Sequence, residues 1–276
     1  MAIRFDLHAA GALAPGIASL ADLLASCRTG RLPADSTLEL PSPAALPPNE
    51  RRRASQVVRL TLACAQQALQ ASPYPAEALR MVFASDEGTG EVCQQMLEAL
   101  ATTRQVSPLL FHNSVHNAPS GYLSIAHQNR QSATSLSLGV ESFASGLLCA
   151  ACEAQATGEP VLLLAYDAPM TEPMRSLLPI VAPTATAWII TSNDAAAAAR
   201  NVLASFELDL QPAAARASAE RRAALPRWLP AAWTPNSSAL GLVALATIAD
   251  ADHATLALGL GAQVLRLTRL PRHTPC

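Results

Sequence analysis

Charge is scarce in this sequence. Only 14% of its 276 residues are Asp, Glu, Lys or Arg, and only 4% are aromatic. An average globular domain carries about a quarter charged residues. The 19 basic and 21 acidic side chains nearly cancel, to a formal −2. That balance excludes the basic footprint with which proteins hold nucleic acid or an acidic membrane surface. Long apolar runs are also missing. The longest, 239–249, is interrupted by Gly241 and Thr247, well short of the roughly 20 residues a bilayer span requires. The start shows no basic stretch, apolar run and small-residue cleavage site, so no signal peptide is read and a cytoplasmic protein is expected. Cysteines are few and dispersed: Cys27, Cys64, Cys93, Cys149, Cys152 and Cys276. Their spacing is not a disulfide framework. Cys149 and Cys152 form a CxxC without the second ligand pair that zinc needs. In their Ala-rich surroundings they read as small packing residues. No metal and no cofactor is expected.

Apolar residues, by contrast, make up 50% of the chain. Such a chain is too hydrophobic and too neutral to stay disordered. Its length fits one large α/β domain or two small ones, and about three-quarters of the unfolded surface is buried at this size. A soluble monomer normally wears more charge, so the surplus apolar surface points to cover by a partner.

Along the chain, strand and helix patterns alternate. Residues 1–16 read as a strand and turn. Ser19 with Asp22 resembles a capping box for the helix beyond it. The stretch 32–49 holds Pro33, Pro41, Pro43, Pro47 and Pro48 and reads as a covering loop. A helix is expected over 50–71, with Val57, Leu60, Cys64 and Ala68 near helical spacing. Arg51, Arg52 and Arg53 open it, at the dipole end that disfavours cations; they read as a solvated face or a contact for an acidic partner. Residues 80–84 form a short strand. The turn 85–90 leads into a helix over 91–101, and the acidic pair Asp86-Glu87 is explained by that helix N-terminus. Residues 104–120 read as irregular, with His112 and His116 organising a loop and His127 on the next helix. The period-2 pattern of 134–139 predicts a strand, 141–156 a helix ended by Gly158, and 161–166 a buried strand. Further strands are expected over 186–191 and 202–210, a helix over 238–249, and paired strands over 254–270. The sequon Asn236-Ser-Ser carries no meaning in an unsecreted chain. The alternation specifies α/β with helices on both sheet faces.

The chemistry-bearing candidate is the strand–turn–helix of 134–158. A strand entering a small-residue helix sharply has the geometry of a nucleophile elbow, where helix N–H groups can stabilise an anion. The turn reads Gly139-Val-Glu-Ser-Phe-Ala-Ser-Gly146. It contains neither the G-x-S-x-G form nor a cysteine.

These features, together with Ala10-Gly-Ala-Leu-Ala-Pro-Gly16, Asn49-Glu-Arg-Arg-Arg-Ala-Ser-Gln, Phe83-Ala-Ser-Asp-Glu-Gly-Thr-Gly90, the segment from Phe111 to Ile125 and Gly158-Glu-Pro-Val-Leu-Leu-Leu-Ala-Tyr-Asp167, resemble a β-ketoacyl synthase, a thiolase-like layered α/β/α fold. The likeness is to the short chain length factor branch found beside ketosynthases of aryl polyene pigment clusters. It covers 3–167 well and is patchy beyond, so the chain is read as one ketosynthase-like domain over 1–276, shortened after 168.

The resemblance implies that an active relative has a cysteine at the elbow and two histidines from its second half. Here one register puts Glu141 at the nucleophile position and the other puts Phe143 there. The segment from Trp233 to Leu245 resembles the family's late helix without its histidine. A non-catalytic subunit is therefore expected. It would pair with a catalytic ketosynthase through Thr134, Ser135, Leu136, Ser137 and Leu138. His116, Asn117, Glu141, Ser142 and Phe143 would touch the partner or its acyl tunnel. The complex would meet acyl carrier protein. A further reading is a scaffold or homodimer that only binds acyl carrier protein, with Arg51–Arg53 or Arg221-Arg222 meeting the acidic carrier helix. The alternative is a stand-alone acyltransferase or malonyl decarboxylase using Glu141, Ser142 or Ser145.

Overall fold

The computed structural model describes residues 2–33, 37–193, 201–212, 225–249 and 254–271. Arg221, Arg222 and Cys276 lie outside them. The described strands are β1 (Ala2–Leu13), β2 (Arg80–Ala84), β3 (Ala133–Leu136), β4 (Val161–Asp167), β5 (Thr184–Ser192), β6 (Ala204–Pro212), β7 (Thr255–Leu260) and β8 (Gln263–Arg269). They form one mixed sheet in the order β3-β2-β4-β5-β1-β6-β8-β7. The first three are parallel, and every neighbouring pair from β4 onward is antiparallel. The helices are α1 (Leu20–Thr29), α2 (Pro48–Arg53), α3 (Gln56–Ala71), α4 (Gly90–Thr102), α5 (Pro108–Asn113), α6 (Ala118–His127), α7 (Ser142–Thr157) and α8 (Ala239–Ala246).

Strands β4 and β5 are buried at every position, which is why β4 reads as an apolar run and not as alternation. Their side chains split by parity. Leu162, Leu164 and Ile189 join Val58 and Leu60 of α3 and Tyr122 of α6 on one face. Leu163, Trp188 and Ile190 join Phe143 and Leu147 of α7 and Leu242 of α8 on the other. This is the layered α/β/α arrangement expected. The β6-β8-β7 extension adds Phe206, Leu258, Leu265 and Leu267 to the second core.

Local chemistry corrects several expectations. The helix read over 50–71 is two helices, because Ser55 turns extended and its hydroxyl accepts the Val58 N–H at 3.4 Å, restarting α3. The segment 104–120 is largely helical. Ser107 caps α5 by accepting the Leu110 N–H at 3.1 Å, and Pro108 and Pro119 sit in the first turns of α5 and α6. There a missing N–H leaves nothing unsatisfied, so these prolines start helices instead of breaking them. The Ser19–Asp22 box forms: Ser19 Oγ accepts the Asp22 N–H at 3.2 Å, and the Asp22 carboxylate accepts the Ala18 N–H at 3.3 Å.

Arg51, Arg52 and Arg53, expected to open a helix, instead form the last turn of α2, where the helix dipole favours cations, and they bond within the chain. Arg51 Nη2 donates to the carbonyls of Ala44 and Leu46, each at 3.0 Å. Arg52 donates to Asn49 and Arg53 to Glu50. Arg59 Nη2 reaches the Leu40 carbonyl at 3.2 Å. Arg51 and Arg59 thus pin the proline-rich strap 37–48 over α3. The proline ring nitrogens offer no donors of their own, so the strap is held through its carbonyls.

Candidate functional site

The elbow lies where β3 ends and α7 begins. The strand is shorter than the 134–139 pattern predicts and stops at Leu136, leaving Ser137 and Leu138 beyond it. Gly139 has φ +59°, the left-handed conformation that turns the chain into α7. Gly146, one turn into α7, lies where a Cβ would stand 2.6 Å from the Ala84 Cβ, so only glycine lets the helix sit this close to β2.

Three candidate residues at the turn are committed to structure. Ser142 is fully buried. Its hydroxyl donates to the Gly139 carbonyl at 2.7 Å and accepts the Leu138 N–H at 2.8 Å. Phe143 is fully buried too, with its ring 6.0 Å from that of Trp188. Both side chains are enclosed within this chain, and Phe143 fills its core. Glu141 is half-buried, and its Oε2 accepts the N–H of Gly261, in the β7–β8 turn, at 2.9 Å. It latches a hairpin 120 residues away.

The helix N-terminus, where an acyl oxyanion would be held, is filled by the chain itself. The Ser142 N–H goes to the Gly139 carbonyl at 3.0 Å. The Phe143 N–H goes to the hydroxyl of Ser237 at 2.7 Å. Ser237 comes from the segment directly before α8, the region that reads as lacking the family's histidine.

Behind the elbow stands a buried hub that the sequence patterns above do not single out. Asp167, at the end of β4, accepts four donors. These are the N–H groups of Asp86 and Ser238 at 2.7 Å, the Ser238 hydroxyl at 2.7 Å and the Ser85 hydroxyl at 3.3 Å. Ser238 is also bonded to Thr184, and Asn236 Nδ2 donates to the Ala182 carbonyl at 2.8 Å. One carboxylate therefore ties the turn 85–90 to the Asn236-Ser237-Ser238 run. Two signals in the sequence mark it: an aspartate closing an otherwise apolar strand, and three polar residues before an apolar helix. Burial raises the Asp167 carboxyl's proton affinity, against the hydrogen bonds that lower it. Glu87, on the same turn, accepts the Gly90 N–H at 2.8 Å, as a charged turn before a helix would. Burial first, with Asp167 and Asp86 adding repulsion, pushes its carboxyl up to about 7.

The remaining candidates scatter. His116 Nδ1 would lie 2.5 Å from a Cβ on Gly88, so the ring rests on that turn, and its Nε2 is buried without a hydrogen-bond partner. His112 packs edge-on to Tyr122 at 5.9 Å. Asn117 is exposed at the start of α6. Cys149 and Cys152 are free thiols whose pKa values burial raises. Among the described residues no cluster of three or more His, Cys, Asp or Glu is placed to hold a metal. No described helix is long and apolar enough to cross a membrane.

The edge of the sheet is open at β3. Among the described residues only β2 pairs with it, and Ala133, Thr134, Ser137 and Leu138 are exposed, whereas Ser135 and Leu136 are half-buried. Exposed apolar side chains also stand on α4 (Leu97 and Leu100), on α5 (Leu109 and Phe111), and at Val115 and Leu138.

The β-ketoacyl synthase N-terminal domain family model matches residues 27–240. The chain belongs to the β-ketoacyl synthase family. A search of curated proteins finds no match. Among solved structures, the ketosynthase ApeO in complex with its chain length factor ApeC from Xenorhabdus doucetiae matches at TM-score 0.71 and 20% identity. That match covers 97% of this chain and 100% of that one. The ishigamide ketosynthase/chain length factor matches at 0.69 and 15%, over 96% and 99%. A type II PKS acyl-carrier protein in complex with its ketosynthase, AntDE:AntF, matches at 0.74 and 11%, over 97% and 99%. At these identities the likeness is one of fold. This β-ketoacyl synthase-like chain keeps the elbow's shape and lacks the elbow's cysteine.

Proposed function

We propose that this chain is a non-catalytic, chain length factor-like subunit that pairs with a catalytic ketosynthase and shapes its acyl tunnel during polyene, polyketide or fatty-acid-like elongation. The observation that carries the reading is the elbow. A thioester-forming enzyme needs a nucleophile there and free N–H donors for the oxyanion. Here no cysteine is present, Ser142 is locked between Gly139 and Leu138, and Ser237 occupies the Phe143 N–H.

The open β3 edge supports the pairing. A bare edge is an aggregation hazard unless a partner strand covers it. Thr134, Ser135, Leu136, Ser137 and Leu138, with the apolar side chains of α4 and α5, would meet that partner. With Ser142 and Phe143 turned inward, Asn117 and the partly exposed His116 are left to face the shared tunnel. Acyl carrier protein would reach the chain through the complex. Resemblance to the aryl polyene branch suggests the pathway.

Co-expression with a catalytic ketosynthase from the same gene neighbourhood tests this. The expected result is a 1:1 complex that survives gel filtration at micromolar concentration and elongates acyl chains only when both subunits are present. Separate elution would overturn the proposal. So would elongation or malonyl decarboxylation by this chain alone that is lost in Ser142→Ala, Ser145→Ala or Glu141→Gln.

A further inference from the structure

A cleft of about 700 Å³ lies under the proline-rich strap, remote from the elbow. Its walls are α3, the strap, the end of β1 and the end of α6. Leu13, Leu38 and Leu62 make an apolar floor and sides, and Pro41 and Pro43 close the strap side. A cavity of this size, mostly apolar with a few convergent polar groups, is the usual form of a small-molecule site.

Most of the polar groups facing it are uncharged: Ser42, Gln66, Gln67, Gln70 and His127. Gln66 and Gln70 stand one turn apart on α3, and His127 faces them from α6. None of the three makes a side-chain hydrogen bond among the described residues. Gln67 between them is different: it accepts the Ala12 N–H at 3.1 Å and donates to the Ala18 carbonyl at 2.8 Å. One amide is thus structural and two are open. Burial lowers the His127 pKa, against Glu77, which raises it, so its imidazole is neutral at pH 7 and offers one donor and one acceptor. Among the described residues no lysine or arginine lines the cleft, and the one formal charge lining it is Glu39. An anion placed there would lose water without gaining a cation.

We propose that this cleft binds an elongated neutral molecule. Its alkyl or similarly apolar body would lie along Leu13, Leu38 and Leu62, and its amide or hydroxyl head would pair with Gln66, Gln70 and His127. The site is separate from the proposed ketosynthase contact, and the strap pinned by Arg51 and Arg59 forms its roof.

Calorimetric titration of the full chain with octanamide, octanoate and octylamine tests the assignment. The expected result is saturable binding of octanamide. Octanoate should bind about tenfold more weakly for want of a cation, as should octylamine, whose charge only Glu39 meets at the exposed rim. Gln66→Ala/Gln70→Ala should weaken octanamide about tenfold, the loss of roughly one net hydrogen bond. Ala63→Trp, which fills the cleft from α3, should abolish binding. Absence of saturable octanamide binding overturns the proposal, as does equal or tighter binding of either charged analogue. Unchanged affinity in the glutamine variant also overturns it, and that variant decides if Ala63→Trp does not fold by circular dichroism.

Discussion

Ser237 Oγ accepts the backbone N–H of Phe143 at 2.7 Å, closing a contact across 94 residues of sequence. It places a neutral hydroxyl at the helix start where an acyl enzyme would hold developing negative charge. The contact is buried on both sides, so Ser237→Ala strands a buried N–H. Such a loss costs about 1–3 kcal/mol. Urea unfolding of the variant should show a lower midpoint at unchanged slope, and a midpoint equal to wild type would mean that this bond does not organise the elbow.

Asp167 should be more sensitive still. Asp167→Ala leaves four donors without their acceptor, and hydrogen bonds to a charged group contribute about 1.5–3 kcal/mol each before compensation. The variant is expected to lose cooperative thermal unfolding or to accumulate insoluble. Asp167→Asn, which keeps an acceptor oxygen, should fall between it and wild type on the same thermal scan.

Glu87 makes stability depend on pH in a definite direction. Its carboxyl titrates near 7 in the folded state, against an ordinary 4.5. The folded state therefore holds a proton that the unfolded chain has already released. Stability falls as pH rises from about 4.5 to about 7 and is flat above that range. Burial lowers the pKa values of His8 and His127, which act the opposite way below about 6.5. Glu87→Gln isolates the glutamate: it should be more stable than wild type at pH 8 and lose that advantage at pH 4.5. Parallel stability–pH curves for the two proteins would refute the assignment.

Much of this architecture is legible in the sequence, and the losses have physical reasons. The buried strand 161–166 stands out because a strand covered on both faces is nearly apolar throughout. The elbow stands out because a period-2 strand meets a small-residue helix at glycine. Helices α5 and α6 escape because Pro108 and Pro119 signal breakage unless the preceding cap is recognised. The Asp167 hub escapes because its partners, Ser85, Asp86 and Ser238, are far apart in sequence. No local pattern shows that four donors converge on one carboxylate. For the same reason sequence alone does not show that the Phe143 ring packs on Trp188, 45 positions away in the sequence.

Edge chemistry separates assembly from folding. Met81 donates to the Ser132 carbonyl and Ser85 to the Leu136 carbonyl. The even-numbered residues of β3 therefore face β2, and the Ser135 N–H points outward. Ser135→Pro should remove an outward donor while leaving the β2 pairing in place, and Leu138→Asp should charge a surface residue that is 55% exposed. Each variant alone should melt within about 1 kcal/mol of wild type. Each should weaken capture of the ketosynthase partner by about tenfold or more in surface plasmon resonance. Undiminished capture by both would remove β3 from the interface.

The most direct test of the central claim is native mass spectrometry of the co-expressed ketosynthase pair after incubation with acyl and malonyl carrier protein. All 19 basic residues of this chain are arginine, so no lysine can be acylated adventitiously and blur the reading. The account predicts a 1:1 complex in which acyl mass appears only on the partner. An acyl adduct on this chain, or two unassociated monomers, would contradict it.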